Sequence, residues 1–121
     1  MSSKLLSLSA DLVLLINRNQ ALATAGFRVA SPRSISDAPR LLESQPFAAV
    51  LIGNSIPPAQ RQLLIREMRD VKPAVPIIFV TVVSGEHEPA ADLNFDVSHD
   101  IAPLIRALQD LSSRVTDATR A

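Results

Sequence analysis

The side chains of this sequence that could do chemistry fall at four places. Ser9 and Asp11 follow a first apolar run, Gly53-Asn54-Ser55 closes a second, and Thr81 sits in a third. The fourth is the polar stretch Gly85-Glu86-His87-Glu88, with Asp92 and His99 beyond it. Imidazole and carboxylate groups together suit zinc or nickel. Here no helical His-x3-His spacing fixes their geometry, so a solvated loop is the expected reading. Ser55 stands where a strand-end nucleophile would, but the alternating glycines of a nucleophile elbow are absent. Residues 7–11, Ser-Leu-Ser-Ala-Asp, contain no glycine, which speaks against a phosphate-cradling first turn. Asp11 alone could bind a cation only weakly. It is expected at a helix start, where the positive end of the dipole favours a carboxylate. No catalytic residue, metal site or cofactor is therefore expected.

Composition narrows the class. The chain has 121 residues, room for one domain, and 47% are apolar, enough for one core. Aromatic residues are 3%, so aliphatic side chains must fill that core. Absence of cysteine excludes disulfides and thiolate-bound zinc and suits a reducing compartment. The formal net charge of zero gives no whole-chain footprint for nucleic acid. No apolar run approaches membrane-spanning length, and the start, Met1-Ser2-Ser3-Lys4, lacks the features of a signal peptide. The expectation is a cytoplasmic, bacterial-type protein without nucleic-acid or membrane partners.

The elements that must position these residues alternate. Residues 4–9 read as a strand and 11–25 as a helix, with Ser9 or Asp11 as its cap and Gly26 as its stop. A second strand covers 27–30. A short helix capped by Ser36 runs to about residue 44, with Pro39 tolerated in its first turn. The continuous apolar run 47–52 suits a strand covered on both faces. Pro57-Pro58 opens a helix carrying Leu64, Met68 and Val71 on one face, and Lys72-Pro73 ends it. Residues 77–82 are rich in β-branched side chains and read as a strand. A weaker strand is expected at 93–97. Ser98 or Asp100 caps a final helix from about 101 to 113, whose Ile101, Leu104, Ile105, Leu108 and Leu111 form an apolar stripe. The domain thus spans 1–113, with 114–121 as a flexible tail. Strands alternating with helices call for a parallel sheet with right-handed crossovers, a three-layer α/β domain of flavodoxin-like order 2-1-3-4-5. On the third helix, Arg61, Arg66 and Arg69 with Gln60 and Gln62 could form a positive contact patch. Glu67 and Asp70 among them favour an ordinary solvated face.

Several stretches resemble the receiver domain of bacterial response regulators. They are Ala25-Gly26-Phe27-Arg28-Val29 around strand two, residues 47–57 (Phe-Ala-Ala-Val-Leu-Ile-Gly-Asn-Ser-Ile-Pro) around strand three, Pro76-Ile77-Ile78-Phe79-Val80-Thr81 at strand four, and Ala38, Leu41 and Leu42 on helix two. The likeness covers roughly residues 4–112. It implies a pocket at the strand ends in which a carboxylate takes a phosphoryl group. An acidic pair holds a divalent cation there, a hydroxyl reorients, and a lysine neutralises charge. In this sequence the acceptor position falls on Gly53, the acidic pair on Ser9 and Ala10 with Asp11 beside them, the hydroxyl on Thr81, and the lysine near Val97. One part of four survives. Only about ten residues lie between strands four and five, so helix four is expected to be shortened or missing.

The resemblance so altered implies a pseudo-receiver: a non-phosphorylatable regulatory domain of two-component signal transduction that binds an unidentified protein partner or a second copy of itself, and is not an enzyme. Two alternatives remain open. One is a sensor binding a small molecule or metal at the reduced pocket of Ser9, Asp11, Gly53 and Thr81. The other is a weakly active enzyme using the same pocket.

Overall fold

The computed structural model describes the backbone of residues 3–120, and side chains as far as Ser113. Five short strands form one sheet: β1 (Lys4–Leu8), β2 (Arg28–Ala30), β3 (Ala49–Gly53), β4 (Ile77–Thr81) and β5 (Leu93–Asp96). Their spatial order is β2-β1-β3-β4-β5 and every pairing is parallel. This is the expected flavodoxin-like order, and the central strands are the ones that read as apolar runs. All five residues of β3 and of β4 are buried, as strands covered on both faces must be.

The two-residue period of a strand divides the core in two. Leu6, Leu8, Val50, Ile52 and Ile77 point to one face. There they meet Ala38 and Leu42 of α2 (Ala38–Ser44) and Leu64, Ile65 and Met68 of α3 (Pro58–Val71). Leu5, Ala49, Leu51, Ile78 and Val80 point to the other. They pack with Leu22 of α1 (Leu12–Thr24) and Leu104 and Leu108 of α4 (Ala102–Arg120). Asp11 caps α1 by accepting from the Leu14 amide at 3.1 Å, and Gly26 follows its end with a φ of +100°. Asp100 accepts from the Ala102 amide at 2.9 Å at the start of α4. A 3-10 turn at Ile35–Asp37 leads into α2, so Pro39 sits in the first turn. The helical backbone of α4 continues past residue 113, beyond the expected end. The expected tail at 114–121 falls on residues whose side chains lie outside the described ones.

Between β4 and β5 no helix forms. Residues 82–92 cross over as turns and bends, in keeping with the expectation of a shortened or missing helix four. This short loop is fastened to α3 by two arginines. Arg61, 3% exposed, donates through Nε to Glu88 Oε1 at 2.8 Å and through Nη1 to the Ile56 carbonyl at 3.0 Å. Its guanidinium lies 4.4 Å from the centre of the Phe79 ring. Glu88, fully buried, also accepts from the Ala90 amide, and its own amide donates to Asn94 Oδ1 at 2.7 Å. Arg69 grips Asp92 with two bonds and the Ala90 carbonyl with a third, while Asp92 accepts from the Ile77 amide. These contacts lay Ala90 and Ala91 against the α3-side core. The clamp departs from the expected solvated helix face and solvated loop, because Arg61 and Glu88 are buried. Arg61 and Arg69 turn inward to the loop and leave no exposed row of arginines. Glu88 and Asp92 are spent on arginines, and no cluster of metal-ligating side chains exists among the described residues.

Burial by itself would raise the Glu88 pKa, but the bonds from Arg61 and the Ala90 amide outweigh it and hold the carboxyl below its ordinary 4.5. A depressed carboxylate stabilises the fold above its unfolded pKa, and that contribution is lost as pH falls through the folded value. Glu88→Ala, which strands a buried guanidinium, is expected to cost about 3 kcal/mol in urea unfolding at neutral pH. Glu88→Gln is expected to flatten the decline of stability below about pH 4.5, measured by thermal melts across acid pH.

Candidate functional site at the strand ends

The carboxyl ends of β1, β3 and β4 meet the start of α1, the usual ligand position in an open parallel sheet. At the end of β3, Gly53 shares the side-chain face of Ala49 and Leu51, which looks towards α1. The space a side chain would fill there is taken by an arginine. A Cβ on Gly53 would lie 3.2 Å from Arg18 Nη1, 3.3 Å from the Leu8 carbonyl oxygen and 3.4 Å from Ser9 Oγ.

Arg18 was not singled out by sequence. It sits on α1 one turn after Leu14 and one turn before Leu22, in the middle of the stripe that faces the sheet. It is 8% exposed. Its Nε donates to Ser7 Oγ at 3.1 Å and its Nη2 to the Leu8 carbonyl at 2.7 Å. Burial pushes its pKa down to about 10, so the group remains charged at neutral pH. No carboxylate among the described residues pairs with it.

The loops around this charge are tied together by hydroxyls. Ser55 Oγ accepts from the Ala10 amide at 2.9 Å and the Asp11 amide at 3.1 Å, and shares a bond with Ser9 Oγ at 2.9 Å. Ser9 Oγ also accepts from the Asp11 amide. Ser55 is thus a brace between the loops after β1 and β3, and its hydroxyl is engaged there. Thr81 is buried, and its Oγ1 accepts from the Val83 amide at 3.0 Å. His87 and His99 are exposed.

A cavity of about 250 Å³ opens beside Arg18. Of the residues expected at a strand-end pocket, Ser9, Gly53 and Val97 line it, whereas Ala10, Asp11 and Thr81 do not. Asp11 is used as the helix cap, and Thr81 is one residue past Val80, which puts it on the opposite face of β4. The sequence signal that could have found Arg18 is its position: a long cation at the centre of an otherwise apolar helical stripe needs either a buried partner or a cavity.

No protein-family model matches this chain, and no curated protein matches it. Solved structures do. The response regulator protein TrrA from Thermotoga maritima, in complex with magnesium and BeF, is 18% identical. The match covers 92% of this chain and 99% of that one, with a TM-score of 0.77. A CheY-like receiver domain protein from Methanospirillum hungatei JF-1 is 16% identical over 97% of this chain and 99% of that one, with a TM-score of 0.79. The receiver domain of a sensor histidine kinase from Pseudomonas aeruginosa PAO1, with magnesium in its active-site cleft, is 22% identical. That match covers 92% of this chain and 98% of that one, with a TM-score of 0.73. At these identities the likeness is one of fold: the chain has the receiver-type, flavodoxin-like architecture.

Placing a side chain at residue 53 is expected to be costly. Gly53→Val drives two methyl groups towards the Leu8 carbonyl and Arg18 and should lower unfolding stability by roughly 1–3 kcal/mol, read from urea denaturation.

Proposed function

We propose that this chain is a receiver-like regulatory domain of signal transduction that works by binding another protein, or a second copy of itself, without accepting a phosphoryl group. One observation carries the reading: the end of β3 offers no side chain, and a buried guanidinium stands over it. Phosphoryl acceptance at this place would need a carboxylate and a divalent cation. Gly53 supplies no oxygen, and the fixed positive charge of Arg18 opposes a second cation in a medium of low dielectric. Ser9 and Ala10 offer no carboxylate, and the Asp11 carboxylate is turned to the Leu14 amide.

A binding role finds support in the surface next to the site. Leu12 and Val13 are 67% exposed and Ile16 is 48% exposed, all on the first turns of α1. Large apolar side chains grouped on one exposed helix face mark contact surfaces more often than isolated ones do. The missing helix also leaves Val82 and Val83 exposed after β4. The receiver domains of similar fold are parts of response regulators and a sensor kinase, which gives the regulatory reading its context.

The test is acetyl phosphate with magnesium, followed by intact-mass spectrometry. The expected result is no phosphoryl adduct on the wild-type chain, and none on Gly53→Asp, because the new carboxylate would pair with Arg18. An acid-labile adduct on the wild-type protein, formed only with magnesium, would overturn the proposal.

A further inference from the structure

Arg18 is a buried cation with one side unused. Nε and Nη2 are committed to Ser7 and the Leu8 carbonyl, whereas Nη1, the nitrogen turned towards Gly53, has no acceptor among the described residues. Taking a guanidinium out of water without a counter-charge is expensive, and two neutral acceptors offset only part of that cost. The cavity beside it is the place from which a counter-charge could come.

That cavity is lined by polar and apolar side chains together. Its polar lining is Arg18, Ser9, Asn17 and Asn54, and the two asparagine side chains have no protein partner among the described residues. Its apolar lining is Leu14, Ala21, Val80, Val82, Val97 and Ile101. No acidic residue lines it. The volume, about 250 Å³, is below the span typical of drug-sized ligands, roughly 300–1,000 Å³. A small ligand is therefore indicated, with a planar anionic head matched to a guanidinium and amide donors and a short aliphatic body matched to the walls.

We infer that the cavity beside Arg18 binds a short, branched aliphatic monocarboxylate, its carboxylate accepting from Arg18 Nη1 and its aliphatic body lying between Leu14, Val80, Val97 and Ile101. Such a ligand supplies the missing negative charge and covers aliphatic wall at the same time. Inorganic phosphate would supply the charge and leave the walls wet, so the body is part of the recognition. The site adjoins the exposed start of α1, and occupancy would bear on the same helix that carries Leu12, Val13 and Ile16. This inference stands on the cavity and does not need the chain to bind a protein partner.

The test is a titration of the whole chain with isovalerate and 4-methyl-2-oxopentanoate, followed by amide NMR and calorimetry, with isovaleramide and inorganic phosphate as controls. Saturable shifts are expected for the amides of Gly53, Asn54, Val82 and Val97 with at least one of the two carboxylates. The neutral amide is expected to bind roughly tenfold more weakly or worse, in line with the worth of a charge-assisted bond. Phosphate should be weaker than the carboxylate. Arg18→Met, which keeps an unbranched apolar stem without the guanidinium, should abolish binding. Ala21→Ile, which leaves Arg18 intact and fills the cavity, should do so as well, so a failure of the first variant to fold does not decide the matter. The inference is overturned if neither carboxylate produces a saturable shift, if isovaleramide or phosphate binds as well as the better carboxylate, or if binding survives in a folded Ala21→Ile chain.

Discussion

A guanidinium and a missing side chain together set the character of this molecule. Arg18 reaches from α1 across to the ends of β1 and β3, and it fits because residue 53 is glycine. With Nη1 3.2 Å from where a Cβ would stand, a side chain at 53 would require the guanidinium or the Leu8 carbonyl to give way by a few tenths of an ångström. The Ser7 hydroxyl and the Leu8 carbonyl hold the guanidinium in that place. Position 18 and position 53 therefore form one arrangement. It puts a permanent positive charge at the strand ends, where a carboxylate-lined pocket would attract a metal ion.

A second pair of arginines solves a separate problem, the absence of a helix between β4 and β5. A parallel crossover must still cover one face of the sheet. Here the segment 82–92 does so with two alanines and a buried ion pair. Arg61 sits between the Phe79 ring and Glu88, so its charge is both paired and packed. Asp92 holds the first amide of β4 while being held by Arg69, which fixes the start of β5 beside it. Because the crossover is tied to α3, the residues after β4 lie open next to the cavity, and Val82 belongs to its rim.

Much of the fold was legible in the sequence because its signals are local. The apolar runs at 47–52 and 77–82, Gly26 after α1, and Asp11 and Asp100 as caps each specify their own element. The strand order followed from alternation of strand and helix. The site was less legible. Ser9, Gly53 and Val97, named from the resemblance, line the cavity, and Thr81 does not, since the two-residue strand period turns it away from Val80. Arg18 was passed over, and Arg61 and Arg69 were read as surface residues, for a common reason: a charged residue on a helix is ordinarily solvated, and only tertiary partners far along the chain reveal a buried one. Glu88 lies 27 positions from Arg61, a separation at which no sequence pattern announces the pair.

The central claim is that the Arg18 cation occupies the strand-end centre and keeps a divalent metal out. Paramagnetic broadening by manganese(II) reads this directly, because amides near a bound ion lose intensity first. With the wild-type chain, the amides of residues 7–11 and 53–55 should fade no faster than exposed amides elsewhere. Selective, saturable loss of those signals, reversed by excess magnesium, would contradict it.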